Sequence, residues 1–231
     1  MHIDMVVFDM AGTTVDDSSN AVARCVVDAV NAHGGSIVEA DVDPVMGMPK
    51  PLAVRTLLEK SGVETTDELV GSAHAEFRRR AIDHYRSAAD VREMPGATET
   101  FRALRSMGVR VTLDTGFDRE IADTIIERLG WGDDLVDDSI TSDQVEHGRP
   151  APDMIKVLME AAGVSDPRRV AKCGDSVSDI EQGINAGCGL VVAMLCDRTR
   201  RVLHRFPSVR SIDTISEFTA LLTGEPAGTE A

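Results

Sequence analysis

Apolar and polar positions follow two different patterns along this chain. Met5 to Phe8 is a short, continuously apolar run, which predicts a strand buried on both faces. From Ser18 to about Val91 apolar residues recur at helical spacing, without a convincing strand. From Met94 onward short apolar runs alternate with helical stretches, which predicts βαβ units and a mostly parallel sheet. The pattern therefore indicates an α/β fold interrupted by a helical block.

The same spacing gives bounds for the individual elements. Strands are expected over 5–8, 109–113, 139–141, 170–173, 190–193 and 208–212. Helices are expected over 18–33, 52–60, 67–85, 97–107, 118–129, 152–162, 177–186 and in a last segment ending at 222. Residues 41–51 read as irregular, because the prolines on either side of Lys50 restrict it to a non-helical or helix-entry conformation.

These elements predict a division of the chain into two domains. Residues 1–16 and 94–223 would form a Rossmann-like, doubly wound core, and residues 17–93 an α-helical cap inserted after the first strand. The small, polar tail 224–231 is expected to be disordered.

Composition and charge restrict the classes of partner. The 231-residue chain is 42% hydrophobic, enough for a sizeable core, and its formal net charge is −15. That charge argues against nucleic acids and anionic membranes as partners, and an anionic substrate would need local positive charge or a metal ion. The four cysteines show no paired spacing, and no apolar run could span a bilayer. We therefore expect a soluble, cytoplasmic protein with reduced thiols.

Four polar clusters fall at the ends of predicted strands or at the start of a predicted helix. They are Asp9–Thr14, Asp114–Phe117, Gly148–Pro150 and Gly174–Asp179. Alone, the aspartate of the first cluster would be interpreted as the cap of a turn. Together the clusters supply an anionic nucleophile, hydroxyl and N–H donors, a fixed cation and carboxylates for Mg²⁺, which are the groups that phosphoryl transfer requires.

In this order the clusters resemble the four motifs of the haloacid dehalogenase (HAD) superfamily. The resemblance implies the doubly wound fold with a helical cap, Mg²⁺ as cofactor, and Asp9 as a nucleophile that becomes an aspartyl phosphate. It implies that Thr115 holds the phosphoryl group, and that Arg149, where lysine is commoner, contacts nucleophile and phosphoryl oxygens. Asp175 would bind the metal, with Asp179 nearby supporting the metal or a cation.

Ala11 departs from the superfamily's usual pattern. Most phosphatases of the superfamily have a second aspartate two residues after the nucleophile, which acts as general acid and then as general base. Alanine transfers no proton, and such proton transfer is worth on the order of 10²–10⁴-fold in rate. Either the chain is an impaired phosphatase, or its reaction has a leaving group that needs no acid at this position.

The segment Asp9–Thr14 also resembles that of phosphonoacetaldehyde hydrolases (phosphonatases), which cleave a carbon–phosphorus bond. Those enzymes have a cap lysine within Met-Gly-x-x-Lys, and Met46–Lys50 matches this motif. An imine between the lysine and the aldehyde is an electron sink, so the carbon can leave as an enamine. The pKa of that lysine would have to fall by roughly three units from about 10.4.

Two positions differ from the phosphonatase pattern. Ala53 stands where these enzymes usually have histidine, and Phe117 where they usually have tyrosine. Both changes remove polar groups near the aldehyde end of the site and leave the exact substrate open.

These observations predict a Mg²⁺-dependent hydrolase of a small phosphonate aldehyde, phosphonoacetaldehyde or an analogue. The catalytic residues would be Asp9, Lys50, Thr115 and Arg149. The substrate would be bound by Gly12, Thr13, Met46, Gly116 and Phe117. The metal would be held by Asp9, the carbonyl of Ala11, Asp175 and Asp179.

Two other functions remain open at this point. The first is a HAD phosphatase acting on a small organophosphate ester, and the second is a phosphate-binding regulatory protein without turnover. The resemblance also implies a homodimer that pairs through the caps.

Overall fold

A parallel β-sheet forms the centre of the protein. The structure, a computed structural model, describes residues 2–223, so the expected disordered tail lies outside the described residues. Six strands lie in the order β3-β2-β1-β4-β5-β6, and every pair is parallel. This is a doubly wound order, which confirms the predicted α/β fold class. The strands are β1 Met5–Asp9, β2 Arg110–Thr115, β3 Asp138–Thr141, β4 Val170–Gly174, β5 Leu190–Met194 and β6 Arg210–Ile212.

Helices lie around this sheet close to their predicted positions. They are α1 Ala21–Ala32, α2 Lys50–Lys60, α3 Asp67–Ser87, α4 Ala97–Ser106, α5 Arg119–Leu129, α6 Asp153–Ala162, α7 Val177–Ala186, α8 Asp197–Val202 and α9 Phe218–Thr223. Sequence reasoning missed α8, because only one of its residues, Thr199, is buried and the helix has no apolar periodicity.

Strand β1 is apolar throughout because helices cover both faces of the sheet. All five of its residues are buried. On one face, Phe8 packs against the rings of Phe101 and Phe218, at centroid distances of 5.7 and 4.9 Å. On the other face, Met5 and Val7 belong to a second apolar cluster with residues of α6. A strand covered on both sides has no position for a polar residue until it ends at Asp9.

The helices α1–α3 follow β1 directly and precede α4. Helix α3 packs against α1 and α2, and also against α5. The two chain segments that lead into and out of this block run side by side: the Met94 amide donates to the Thr14 carbonyl at 2.7 Å, and the Asp16 amide to the Arg92 carbonyl at 3.1 Å. The division into a core and a cap at residues 17 and 93 stays a prediction.

The ends of three neighbouring strands define one edge of the sheet. Asp9 at the end of β1 lies in register with Asp114 of β2, and Asp175 follows β4 on the other side of β1. The chain order reverses between β1 and β4, which is where doubly wound sheets bind ligands.

Within residues 2–223, no helix combines the length and the apolar character that a membrane crossing requires. The cytoplasmic location and the homodimer stay predictions.

Candidate active site

The predicted nucleophile is held by a buried arginine. Asp9 is 5% exposed, and its Oδ1 accepts a hydrogen bond from Nη1 of Arg149 at 2.7 Å. Arg149 is 2% exposed and comes from the loop before α6. The two residues therefore meet as the resemblance implied, although 140 positions separate them in the sequence.

Arg149 belongs to a larger buried network of charges. Its Nη1 lies 2.9 Å from Asp179 Oδ1, and its Nη2 donates to Asp114 Oδ1 and to the Asp114 carbonyl oxygen. Lys172, from the middle of β4, pairs with Asp114 and lies 2.9 Å from Asp179. Two cations thus lie among three carboxylates. Because ions away from water must be paired, this network fixes the direction of Arg149 towards Asp9.

The network leaves the charge of Asp9 incompletely compensated. Burial raises the pKa of Asp9 to about 7; Arg149 opposes this shift, and the carboxylates of Asp179 and Asp175 add to it. Burial also raises the pKa of Asp175. Because a carboxylate attacks only in its ionised form, another cation close to Asp9 would favour the reactive state.

The oxygen atoms around Asp9 fit a magnesium ion. Asp9, Ala11 and Asp175 line one small cavity, and they would offer two carboxylates and a main-chain carbonyl, the hard oxygen donors that Mg²⁺ prefers. Gly12 makes the close approach of Asp175 possible, because a Cβ at this position would lie 2.5 Å from Asp175 Oδ2. The residues present therefore fit the metal that the resemblance implies.

Asp179 has a different environment from the other predicted metal ligands. Its carboxylate accepts from Ser176 and pairs with Arg149 and Lys172. Burial opposes ionisation, but the two cations keep the pKa of Asp179 below its usual value. Asp9, Asp114 and Asp179 bring oxygens within 4.8 Å of one another. A divalent ion among these three would face both cations, so this group is better suited to holding Arg149.

Lys50 lines the same small cavity as Asp9. It is the first residue of α2 and is 4% exposed. Pro51 suits the first turn of a helix, where no amide donor is needed, so the helix begins at the lysine. The pKa of Lys50 is lowered to about 8, chiefly by burial; Asp9 opposes this shift, and Arg149 contributes to it.

The ring of Phe117 lies beside the Lys50 ammonium, where phosphonatases usually have a tyrosine. Nζ of Lys50 lies 5.4 Å from the centroid of the Phe117 ring. Phe117 in turn contacts Tyr85 and Phe77 of α3, at centroid distances of 5.9 and 6.3 Å. Ala53 is buried one turn after Lys50. This apolar setting is the physical cause of the low lysine pKa.

The remaining predicted substrate contacts divide into two groups. Met46, Thr115 and Gly116 line the cavity, and Gly116 permits the approach of the Met48 carbonyl, which would lie 2.6 Å from an added Cβ. Thr13 does not line this cavity: it is fully buried, and its hydroxyl has no hydrogen-bond partner among the described residues.

The cavity itself is small in this structure. Its volume is about 20 Å³, room for about one water molecule. A phosphonate aldehyde is larger than this volume.

Three charged residues of the site were not singled out by sequence reasoning. Lys172 had a recognisable signal, because it interrupts an otherwise apolar strand that is buried on both faces. Asp114 lies in a quoted cluster but carried no assigned role. Arg198, which forms an ion pair with Asp175, lies in α8 and had no signal in the sequence.

Comparison with known proteins agrees with this arrangement. A family model described as haloacid dehalogenase-like hydrolase matches residues 3–187. The chain belongs to this family. Hydrolases of the family generally use Mg²⁺, which agrees with the oxygen donors around Asp9.

Relatives of this hydrolase are named as phosphonoacetaldehyde hydrolases. One from Bacteroides fragilis is 28% identical over 93% of this chain and 86% of the relative. A bifunctional phosphonoacetaldehyde hydrolase/aminoethylphosphonate transaminase from Clostridioides difficile is 29% identical over 80% of this chain, which spans 30% of that protein. A solved phosphonoacetaldehyde hydrolase-like protein from Oleispira antarctica has a TM-score of 0.83 at 20% identity, covering 97% of this chain and 92% of its own. This last likeness shows the fold alone.

The buried lysine should make the hydrolase less stable than a neutral residue would. We expect Lys50→Met to raise the free energy of unfolding at pH 7 by about 1–3 kcal/mol, because methionine fills the site without a desolvated charge. The pKa of Lys50 is about 8 in the folded protein and has its ordinary value of 10.5 in the unfolded protein. The stability of the wild type therefore rises between about pH 8 and pH 10.5, as Lys50 loses its proton. The difference should therefore shrink at pH 9.5.

Urea denaturation at both pH values measures this difference. Lys60→Met is the matched control, because Lys60 lies in the same helix but pairs with Asp41 at the surface, with its side chain 53% exposed. The control should change stability by less than about 1 kcal/mol at either pH. If Lys50→Met is no more stable than wild type at pH 7, Lys50 is not a buried lysine with a lowered pKa.

Proposed function

We propose that this protein is a Mg²⁺-dependent, phosphonatase-like hydrolase that cleaves the carbon–phosphorus bond of a small phosphonate aldehyde, such as phosphonoacetaldehyde. The observation that carries the proposal is that Lys50 and Asp9 line the same small cavity, with Ala11 in place of a general acid. A lysine whose pKa lies near 8 is partly neutral at physiological pH, which imine formation requires.

The first step would occur at Lys50. Its neutral amine attacks the aldehyde carbon, and the resulting carbinolamine takes up a proton from solvent on its hydroxyl group and loses water, which leaves a protonated imine. The apolar surroundings of Phe117 keep water away from this end of the cavity. The positive charge now lies on nitrogen two bonds from the carbon attached to phosphorus.

The second step would occur at Asp9. One carboxylate oxygen attacks phosphorus, the carbon–phosphorus bond breaks, and its electron pair moves onto the imine to give an enamine. Arg149 donates to Asp9 and can reach the phosphoryl oxygens, and Thr115 lines the same cavity. A magnesium ion bound to Asp9, Ala11 and Asp175 would neutralise charge on these oxygens.

The leaving group explains the alanine at position 11. An alkoxide leaving group needs a proton from the enzyme, whereas the enamine carbon needs only the electron sink on Lys50. Water then hydrolyses the aspartyl phosphate to phosphate and the Asp9 carboxylate. Protonation and hydrolysis of the enamine release the dephosphorylated aldehyde and return the free lysine.

Relatives at 28–29% identity that are named phosphonoacetaldehyde hydrolases support the same substrate class. A phosphatase that acts on a small ester is the second candidate. It is favoured by Ala53 and Phe117, because both lack the polar groups that phosphonatases usually have at these positions.

Substrate comparison with Lys50→Met separates the two candidates. We expect the variant to lose at least about 10³-fold in phosphate release from phosphonoacetaldehyde, because no imine can form. Its slow hydrolysis of p-nitrophenyl phosphate should stay within a few-fold of wild type. Lys60→Met is the control for the lost charge. Retained release of phosphate from phosphonoacetaldehyde by the Lys50 variant would refute the proposal.

Ala11→Asp tests the role of the missing acid from the opposite direction. A carboxyl group at this position can protonate an alkoxide, so we expect ester hydrolysis to rise by about 10²-fold, at the lower end of the 10²–10⁴-fold that such catalysis can supply. Carbon–phosphorus cleavage should not rise with it. Ala11→Asn, of the same size but without a transferable proton, is the matched control. Equal ester rates in the two variants would contradict this account of Ala11.

A further inference from the structure

Arg198 forms an ion pair with the carboxylate that we propose as a metal ligand. Its Nη2 contacts Asp175 Oδ2, and its side chain is 22% exposed. Its Nε is buried and has no hydrogen-bond partner among the described residues. None of the four motifs contains Arg198, and phosphoryl transfer as proposed above does not use it. The Arg198 guanidinium and a metal ion would compete for one carboxylate.

A cavity of about 510 Å³ leads to this ion pair from the surface. Its charged lining consists of Asp16, Asp17, Asp43, Asp175, Asp197, Asp213, Arg198 and Arg201. Arg92 and Arg200 pair with two of these carboxylates, Asp16 and Asp213, so six carboxylates face four guanidinium groups. The cavity keeps a net negative charge, which favours cations over an anionic phosphonate. The cavity is therefore suited to bringing a cation to Asp175, where Arg198 already lies.

A second carboxylate lies within reach of Arg198. Its Nη1 is 3.7 Å from Oδ1 of Asp43. Asp43 belongs to a short turn, Asp43–Val45, which directly precedes the Met46–Lys50 segment. A small movement of the guanidinium would exchange Asp175 for Asp43, and the new partner belongs to the chain segment that carries the lysine.

We infer that Arg198 is a positioning residue that occupies Asp175 in the metal-free protein and transfers to Asp43 when Mg²⁺ binds Asp175. The inference rests on the proposed metal role of Asp175. Arg149 can stay on Asp9 beside a metal ion because Asp114 and Asp179 also hold it. Arg198 has no such additional partner except Asp43 at 3.7 Å, so repulsion from a metal ion on Asp175 moves its guanidinium towards Asp43. Asp43 is then the nearest remaining anion.

This exchange would couple metal loading to the placement of Lys50. Once Arg198 pairs with Asp43, the segment that leads to Lys50 is tied to the core beside the loaded metal site. The phosphoryl-binding half of the site is then complete before the lysine is fixed in place. Because the Arg198–Asp43 contact and metal binding are linked, any interaction that holds Asp43 near Arg198 also raises the affinity of Asp175 for the metal ion.

Isothermal titration of the protein with MgCl₂, without substrate, tests the competition. Arg198→Gln should bind Mg²⁺ about tenfold more tightly than wild type, as expected if Asp175 is unshielded about a tenth of the time. Arg200→Gln is the matched control: Arg200 lies in the same helix and pairs with Asp213, so the variant loses the same charge without freeing Asp175. Its affinity should stay within about twofold of wild type.

A double-mutant cycle tests the transfer to Asp43. Asp43→Asn should weaken Mg²⁺ binding in the wild-type background, because Arg198 loses its alternative partner and the cavity loses a negative charge. In the Arg198→Gln background only the general loss of charge remains, so the effect of Asp43→Asn should be at least about threefold smaller.

The outcomes separate this inference from the proposed function. Equal Mg²⁺ affinity of wild type and Arg198→Gln overturns the competition, and equal effects of Asp43→Asn in both backgrounds overturn the transfer. Either result leaves the proposed reaction intact. If Asp175→Asn binds Mg²⁺ as tightly as wild type, the metal role of Asp175 fails, and this inference fails together with that part of the proposed function.

Discussion

The ion-pair network of Arg149 is the constraint on which the rest of the site depends. Asp9, Asp114 and Asp179 are all buried, and three such carboxylates cannot remain ionised near one another without cations. Arg149 and Lys172 supply two positive charges, and the hydrogen bonds from Arg149 to Asp114 leave its Nη1 directed at Asp9. Strands β1, β2 and β4 each contribute a charged residue, so the network also ties the centre of the sheet to the Arg149 loop. Because the cations do not fully compensate Asp9 and Asp175, the same edge of the sheet is suited to a metal ion.

Lys50 illustrates the opposite use of burial. No carboxylate of residues 2–223 lies within ion-pair distance of its ammonium, and the Phe117 ring lies beside it, so burial lowers its pKa instead of strengthening an ion pair. One small cavity thus combines two regions. In the first, around Asp9, the charges form ion pairs and would bind a phosphoryl group; in the second, around Lys50, the amine has no carboxylate partner, which would keep it neutral. Ala11 agrees with this combination, because an imine on Lys50 removes the need for an acid beside Asp9. The motifs of the HAD family account for the first region, whereas Lys50 of α2 and Phe117, which follows β2, form the second.

Much of the fold was predictable because buried parallel strands leave a strong local signal. The apolar run Met5–Phe8 and its terminal aspartate marked the central strand, and the four polar clusters identified the edge where the site lies. The partners within the site were less accessible, since ion pairs depend on contacts between distant segments. Asp179 was predicted to support the metal or a cation, but its two cationic partners, Arg149 and Lys172, could not be identified from the sequence. Arg198 lies in a short helix without periodicity, and its contact with Asp175 depends on how β4 and β5 are placed side by side.

Borohydride trapping tests the central claim, that Lys50 and Asp9 act on one substrate, most directly. The protein would be mixed with phosphonoacetaldehyde and Mg²⁺, reduced with borohydride, and mapped by peptide mass spectrometry while phosphate release is followed. The account predicts a reduced two-carbon adduct on Lys50, with activity lost in proportion to the adduct. Phosphate release from ordinary esters with no adduct on Lys50 would contradict it. The protein would then be an ester phosphatase that takes its proton donor from a position other than 11.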